Sequence, residues 1–112
     1  MSDLPPKDFT LRDLEKRVHE RAQASPETSY TRKLLDRGAP YCAKKFGEEA
    51  AETIIAVVSE DRERVISETA DLLYHLMIVL AARGIALAEV EAELAGRTVQ
   101  SGLAEKASRK QD

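Results

Sequence analysis

A single cysteine, Cys42, stands in a chain of 112 residues, so no internal disulfide can form and no site built from several thiolates is available. A reducing compartment is expected. Positive charge is not in excess either. The formal net charge is −3, which excludes the strong global positive field used in non-sequence-specific nucleic-acid binding. No nucleic-acid partner is expected. The opening "MSDLPPKDFT" lacks a basic start followed by an apolar run, and the longest apolar run, "LMIVLAA", is far shorter than the ~20 residues that span a bilayer. The expectation is a cytoplasmic protein with no membrane partner. Strand-like alternation bounded by hairpin turns is absent, as is any internal repeat.

What remains is helical. A hydrophobic fraction of 43% beside a charged fraction of 33%, with abundant Ala, Leu, Glu, Lys and Arg, fits a soluble all-α protein. One domain over residues 1–112 is expected, with an extended lead-in over 1–9 and a polar tail from about Gln100. Thr10 is placed to cap a helix with apolar positions at Leu11, Leu14 and Val18, fading near Ser25-Pro26. Ser29 caps a short second helix that Gly38 can end in a left-handed conformation. Pro40 opens a longer helix through about Val58. Asp61 is an N-cap for a helix from Arg62 to Arg83, ended by Gly84, and a last helix covers roughly Leu87 to Leu94. The expected fold is a compact bundle of four to five helices around a central antiparallel hairpin.

A chain of this length buries only about 60 to 70% of its unfolded surface as a monomer. The segment "DLLYHLMIVLAA" is apolar nearly all round, which a helix tolerates only when covered on most sides. A homodimer sharing this helix is the economical expectation, with a well-covered monomeric core as the alternative.

The densest charge lies in "KKFGEEAAETI", residues 44–54. On a helix, Glu48, Glu49 and Glu52 project within one fan of roughly 100°. Glu68 and Asp71 repeat the three-residue spacing on the next long helix, and an antiparallel hairpin would let the two acidic faces converge. Such a cluster is either a solvated face paired with Lys44 and Lys45, or a cation site. Glu68 and Asp71, immediately before the most apolar stretch, are poorly placed for simple solvation and favour the site. Oxygen-only ligands suit a hard ion, Mg²⁺ above all. A di-iron bundle would want Glu-x-x-His pairs, whereas His75 sits four residues after Asp71.

The pattern Glu48-Glu49-x-x-Glu52 followed by Glu68-x-x-Asp71 resembles the signature of the MazG-like all-α nucleoside-triphosphate pyrophosphohydrolases. With "SYTRKLL", "KKFGEEAAE", "ADLLYHLMIVL" and "SGLAEKASR", the chain resembles the phosphoribosyl-ATP pyrophosphatase family of that superfamily, over Ser29 to Arg109. The resemblance implies Mg²⁺-dependent hydrolysis of 1-(5-phosphoribosyl)-ATP to 1-(5-phosphoribosyl)-AMP and pyrophosphate, the second step of histidine biosynthesis, by a homodimer. A fused cyclohydrolase is not expected, because its zinc ligands would need more than one cysteine.

Carried over residue by residue, the resemblance makes Glu49, Glu52, Glu68 and Asp71 the metal ligands and Glu48 the candidate base that orients or deprotonates the attacking water. A polyanionic substrate calls for cations beside the pocket. Lys45 lies one turn before Glu49 on the same stripe, Lys44 lies to one side, and Arg32, Lys33 and Thr31 come from "SYTRKLL". Each lysine is as readily an ordinary helix ion pair, and Ser29 is better read as a cap. His75, seven residues after Glu68, is a substrate or carboxylate contact or, more often in such positions, a hydrogen-bonded core histidine. Gly47 in mid-helix suggests close helix packing or ligand approach. Lys106, Arg109 and Lys110 in the tail could close over phosphates. Rival readings are a house-cleaning pyrophosphatase of deoxynucleoside triphosphates with the same metal site, and a non-catalytic helical adaptor.

Overall fold

A computed structural model of the chain describes residues 8–98 and Arg109; the lead-in before residue 8 and the tail positions Lys106 and Lys110 lie outside the described residues. Five helices follow in order: α1 (Leu11–Ala22), α2 (Tyr30–Asp36), α3 (Ala39–Ser59), α4 (Arg62–Ala82) and α5 (Leu87–Arg97), with no strand among the described residues. The all-α bundle is as expected.

Local chemistry sets the helix ends. Thr10 and Asp13 form a reciprocal capping box: the Thr10 backbone N–H donates to Asp13 Oδ2 at 2.8 Å, and Thr10 Oγ1 accepts from the Asp13 N–H at 3.3 Å. α1 then stops at Ala22, short of the Ser25-Pro26 boundary, because a turn built on Ser25 and Glu27 begins there. Ser29 does two jobs. Its Oγ accepts from the Arg32 N–H at 3.1 Å and donates to the Arg21 carbonyl at 2.9 Å, fastening the start of α2 to the end of α1. Gly38 has φ +93°, but its ψ of 166° is extended rather than left-handed helical, and it serves as the N-cap of α3 instead of closing α2. Asp61 Oδ1 accepts from the Arg64 N–H at 2.9 Å and starts α4. Gly84, at φ +66°, ends it. Glu89 accepts from the Ala86 N–H at 2.9 Å, and α5 runs three residues past Leu94.

Packing centres on the α3–α4 hairpin, the most extensively packed pair of helices. Val18, Leu34, Cys42, Met77, Ile78 and Leu87 form the buried core, drawn from all five helices. α5 is held to α1 by the Leu87 N–H donating to Glu15 Oε2 at 2.6 Å and by an Arg12–Glu91 ion pair. Around the closed end of the hairpin an apolar face stays open: Ile54, Ile55, Val57 and Val58 of α3 and Ile66 of α4 are each more than half exposed. By length and composition alone, α4 is long and apolar enough to cross a membrane, which the short run "LMIVLAA" does not convey. Yet α4 also buries Glu68 and His75 within the bundle, the pattern of a helix packed around a polar site.

Candidate metal centre

Where α3 and α4 pass each other, the carboxylates meet. Glu49, Glu68 and Asp71 each offer an oxygen, and the three oxygens lie within 4.8 Å of one another. The helices are pinned at this level by Thr53, whose hydroxyl lies 2.9 Å from the Glu49 carbonyl and 3.1 Å from the Glu68 carbonyl. Glu68 is buried, as expected from its place before the apolar stretch, whereas Asp71 is exposed. Three residues further along, Asp71 is turned about 60° around the helix from Glu68 and reaches the open side of the seam.

The acidic fan of α3 divides. Glu49 points inward. Glu48 stays at the rim with its side chain 44% exposed, 3.7 Å from Lys45 Nζ. Glu52 is exposed, yet near enough to Glu68 for its carboxyl to act on that of Glu68. Burial foremost, and then the neighbouring carboxyl of Glu52, push the Glu68 carboxyl above its ordinary pKa; Arg64 works against them. That arginine was not singled out in the sequence. It lies four residues before Glu68 on α4, with Nη2 at 2.6 Å from Glu68 Oε1, and the i, i+4 spacing was the signal that could have found it.

Three buried polar atoms in this volume have no hydrogen-bond partner among the described residues: Glu49 Oε2, Glu68 Oε2 and His75 Nδ1. Two are carboxylate oxygens at the centre of the cluster. Buried acceptors without a donor are costly, and a cation is what such oxygens accept. The residues therefore fit a hard metal ion, with carboxylate oxygens as the only ligand atoms in the group of three. His75 is buried with Nε2 at 4.0 Å from Glu49 Oε1, too far for a hydrogen bond, and it packs edge-on against Tyr74 and Tyr30. Burial first of all lowers its pKa and keeps the ring neutral.

The remaining candidates are spread more widely. Lys45 lies beside the cluster, 5.7 Å over the Tyr41 ring as well as near Glu48. Lys44 is exposed on α3. Arg32 donates to Asp36 at 2.8 Å and to the Ala22 carbonyl at 3.0 Å. Thr31 is buried, its hydroxyl 2.6 Å from that of Tyr74. Lys33 opens onto a neighbouring pocket with Tyr30, Arg37 and Tyr41. Gly47 permits no close packing, since a Cβ there would meet nothing within 4 Å.

The sequence profile of the family described as "Phosphoribosyl-ATP pyrophosphohydrolase" matches residues 11–98. A "Phosphoribosyl-ATP pyrophosphatase 1" of Bradyrhizobium diazoefficiens is 62% identical over 103 residues, 92% of this chain and 97% of the relative. The protein of that name from Rhodopseudomonas palustris is 60% identical, covering 93% and 97%. The "Phosphoribosyl-ATP pyrophosphatase" of Rhizobium meliloti is 58% identical, covering 91% and 95%. The chain belongs to the phosphoribosyl-ATP pyrophosphohydrolase family, all-α hydrolases that act on a phosphoanhydride.

Proposed function

We propose that this chain hydrolyses 1-(5-phosphoribosyl)-ATP to 1-(5-phosphoribosyl)-AMP and pyrophosphate in a Mg²⁺-dependent reaction, as the second step of histidine biosynthesis in the cytoplasm. The observation that carries the reading is the convergence of Glu49, Glu68 and Asp71 with two buried carboxylate oxygens lacking a donor. Glu49, Glu68 and Asp71 would hold the ion, with the Glu52 carboxyl beside Glu68 as a fourth candidate ligand. Bound there, Mg²⁺ supplies charge neutralisation for the phosphates and for the leaving pyrophosphate.

The chain's own groups do the rest. Water adds across the α,β-phosphoanhydride, forming one P–O bond as the bridging P–O bond breaks, and its proton passes to a carboxylate. Glu48, exposed at the rim with Lys45 as its ion-pair partner among the described residues, would accept it. Lys45 meets the incoming phosphates as a mobile point charge. Neutral His75 lies behind Glu49, 4.0 Å from its carboxylate, and closes that side of the site.

The open face of Ile54, Ile55, Val57, Val58 and Ile66 supports a homodimer, because an apolar surface of this kind is normally covered by a partner. The deciding experiment is pyrophosphate release from phosphoribosyl-ATP with Mg²⁺ and with chelator, beside a panel of ordinary and deoxynucleoside triphosphates. Turnover of the deoxynucleotides alone would replace the substrate and keep the site. No turnover of anything would leave a non-catalytic helical protein.

A further inference from the structure

A pocket of about 340 Å³ opens where α2 meets α3, floored by buried Leu34 and walled by Tyr30, Lys33, Asp36, Arg37 and Tyr41. It adjoins the acidic seam. Tyr30 sets its ring edge-on to His75 at 6.4 Å between centroids, and His75 in turn lies against Glu49. On the other wall, Tyr41 carries the Arg37 guanidinium 4.0 Å above its ring, with Lys45 bridging from the Glu48 rim.

The chemistry of these walls is mixed in an informative way. Tyr30 is 53% exposed, so an aromatic ring beside the site is left open to a planar ligand. Asp36, the one acid on the wall, is paired with Arg32. Lys33 and Arg37 have no carboxylate partner among the described residues. A guanidinium stacked on a ring keeps its planar N–H fork fixed and available, which suits a phosphate.

We propose that this pocket receives the adenine and the N1-linked phosphoribosyl arm of the substrate, with the base packed on Tyr30 and the arm's 5-phosphate held by Arg37 and Lys33. The proposal rests on the reading that phosphoribosyl-ATP is the substrate. It assigns to one place what separates that molecule from ATP: the second phosphate end. ATP would leave both cations unpaired, so the pocket selects by the group ATP lacks.

Steady-state kinetics with phosphoribosyl-ATP on the wild type, R37Q, K33Q and Y30L tests this, with phosphoribosyl-AMP and AMP as competing inhibitors and melting temperatures as the folding control. Loss of either cation raises KM by about 10- to 100-fold, as for a charge-assisted hydrogen bond, and narrows the preference for phosphoribosyl-AMP over AMP. Y30L weakens both inhibitors alike. Unchanged KM in folded R37Q and K33Q overturns the proposal, and so does an equal loss for the two inhibitors in those variants. A wild type that does not turn over phosphoribosyl-ATP refutes the underlying activity first, and the assigned ligand with it.

Discussion

Replacing Glu49 by Gln is the sharpest perturbation of the acidic seam, because it turns one of three converging carboxylates into a neutral amide, a far weaker cation ligand, with almost no change of shape. Two effects of opposite sign follow. Without metal, the variant loses like-charge repulsion around a buried carboxylate and melts no lower than the wild type. With metal, it loses what the wild type gains. An ion binding only the folded chain at a hundredfold over its Kd stabilises by about 2.7 kcal/mol, which for a domain of this size is a rise on the order of 10 °C in Tm. Thermal melts with chelator and with a Mg²⁺ series should show that rise in the wild type and little of it in E49Q or D71N. Proton and ion also compete for the same oxygens. Because the Glu68 carboxyl is held above its ordinary pKa, loading releases protons, more of them as pH falls from neutral towards the carboxylate range, while affinity weakens. Calorimetry in buffers of different ionisation enthalpy reads that release. An E49Q protein with the full Mg²⁺ response, or a wild type with none, would refute the metal-centre reasoning.

Deleting the fully buried Ile78 side chain to Ala should cost about 3 kcal/mol by urea unfolding, the usual range for an aliphatic core cavity. Thr31→Val removes the 2.6 Å hydroxyl contact with Tyr74 and should cost about 1 kcal/mol, read as a lower melting temperature; a raised KM without that loss would return Thr31 to substrate binding. His75 has a depressed folded-state pKa, so its contribution to stability is complete above the unfolded value of 6.5 and is lost as pH falls below it. Urea midpoints on either side of that value should fall with acidity in the wild type and less so in His75→Gln. Val58→Glu, on the open apolar face, should convert a dimer to monomer in light scattering; a dimer that persists would place the interface elsewhere.

Helix identity and order were readable because the signals are local: Thr10, Ser29, Asp61 and Gly84 act on their own segments. The gathering of carboxylates was also readable, since helical spacing places residues on a face and a short connection brings two faces together. Which member turns inward was given by the resemblance, which made Glu49 and not Glu48 a ligand, and not by helical spacing. Glu48 and Glu49 are neighbours with the same side chain, and only the relative rotation of α3 and α4 decides that Glu49 enters the seam while Glu48 stays with Lys45. Asp71 was expected away from solvent for the same reason and is exposed. Arg32 illustrates another limit. Its motif suggested a phosphate contact and carried no sign of its local partners, Asp36 one turn on and the Ala22 carbonyl across the loop. Gly47 carried no packing role, because a mid-helix glycine looks the same in sequence whether it faces a neighbour or open space.

The Arg64–Glu68 pair has a consequence for the order of events in the life of the chain. A small metalloprotein whose ligands have no other counter-charge must find its ion in order to fold. Here a guanidinium on the same helix already offsets part of the acidic charge, and it arrives with α4 itself, one turn from the carboxylate it serves. An ion bound as proposed would then find the charge of the seam already partly balanced, so the helices could pack before it arrives.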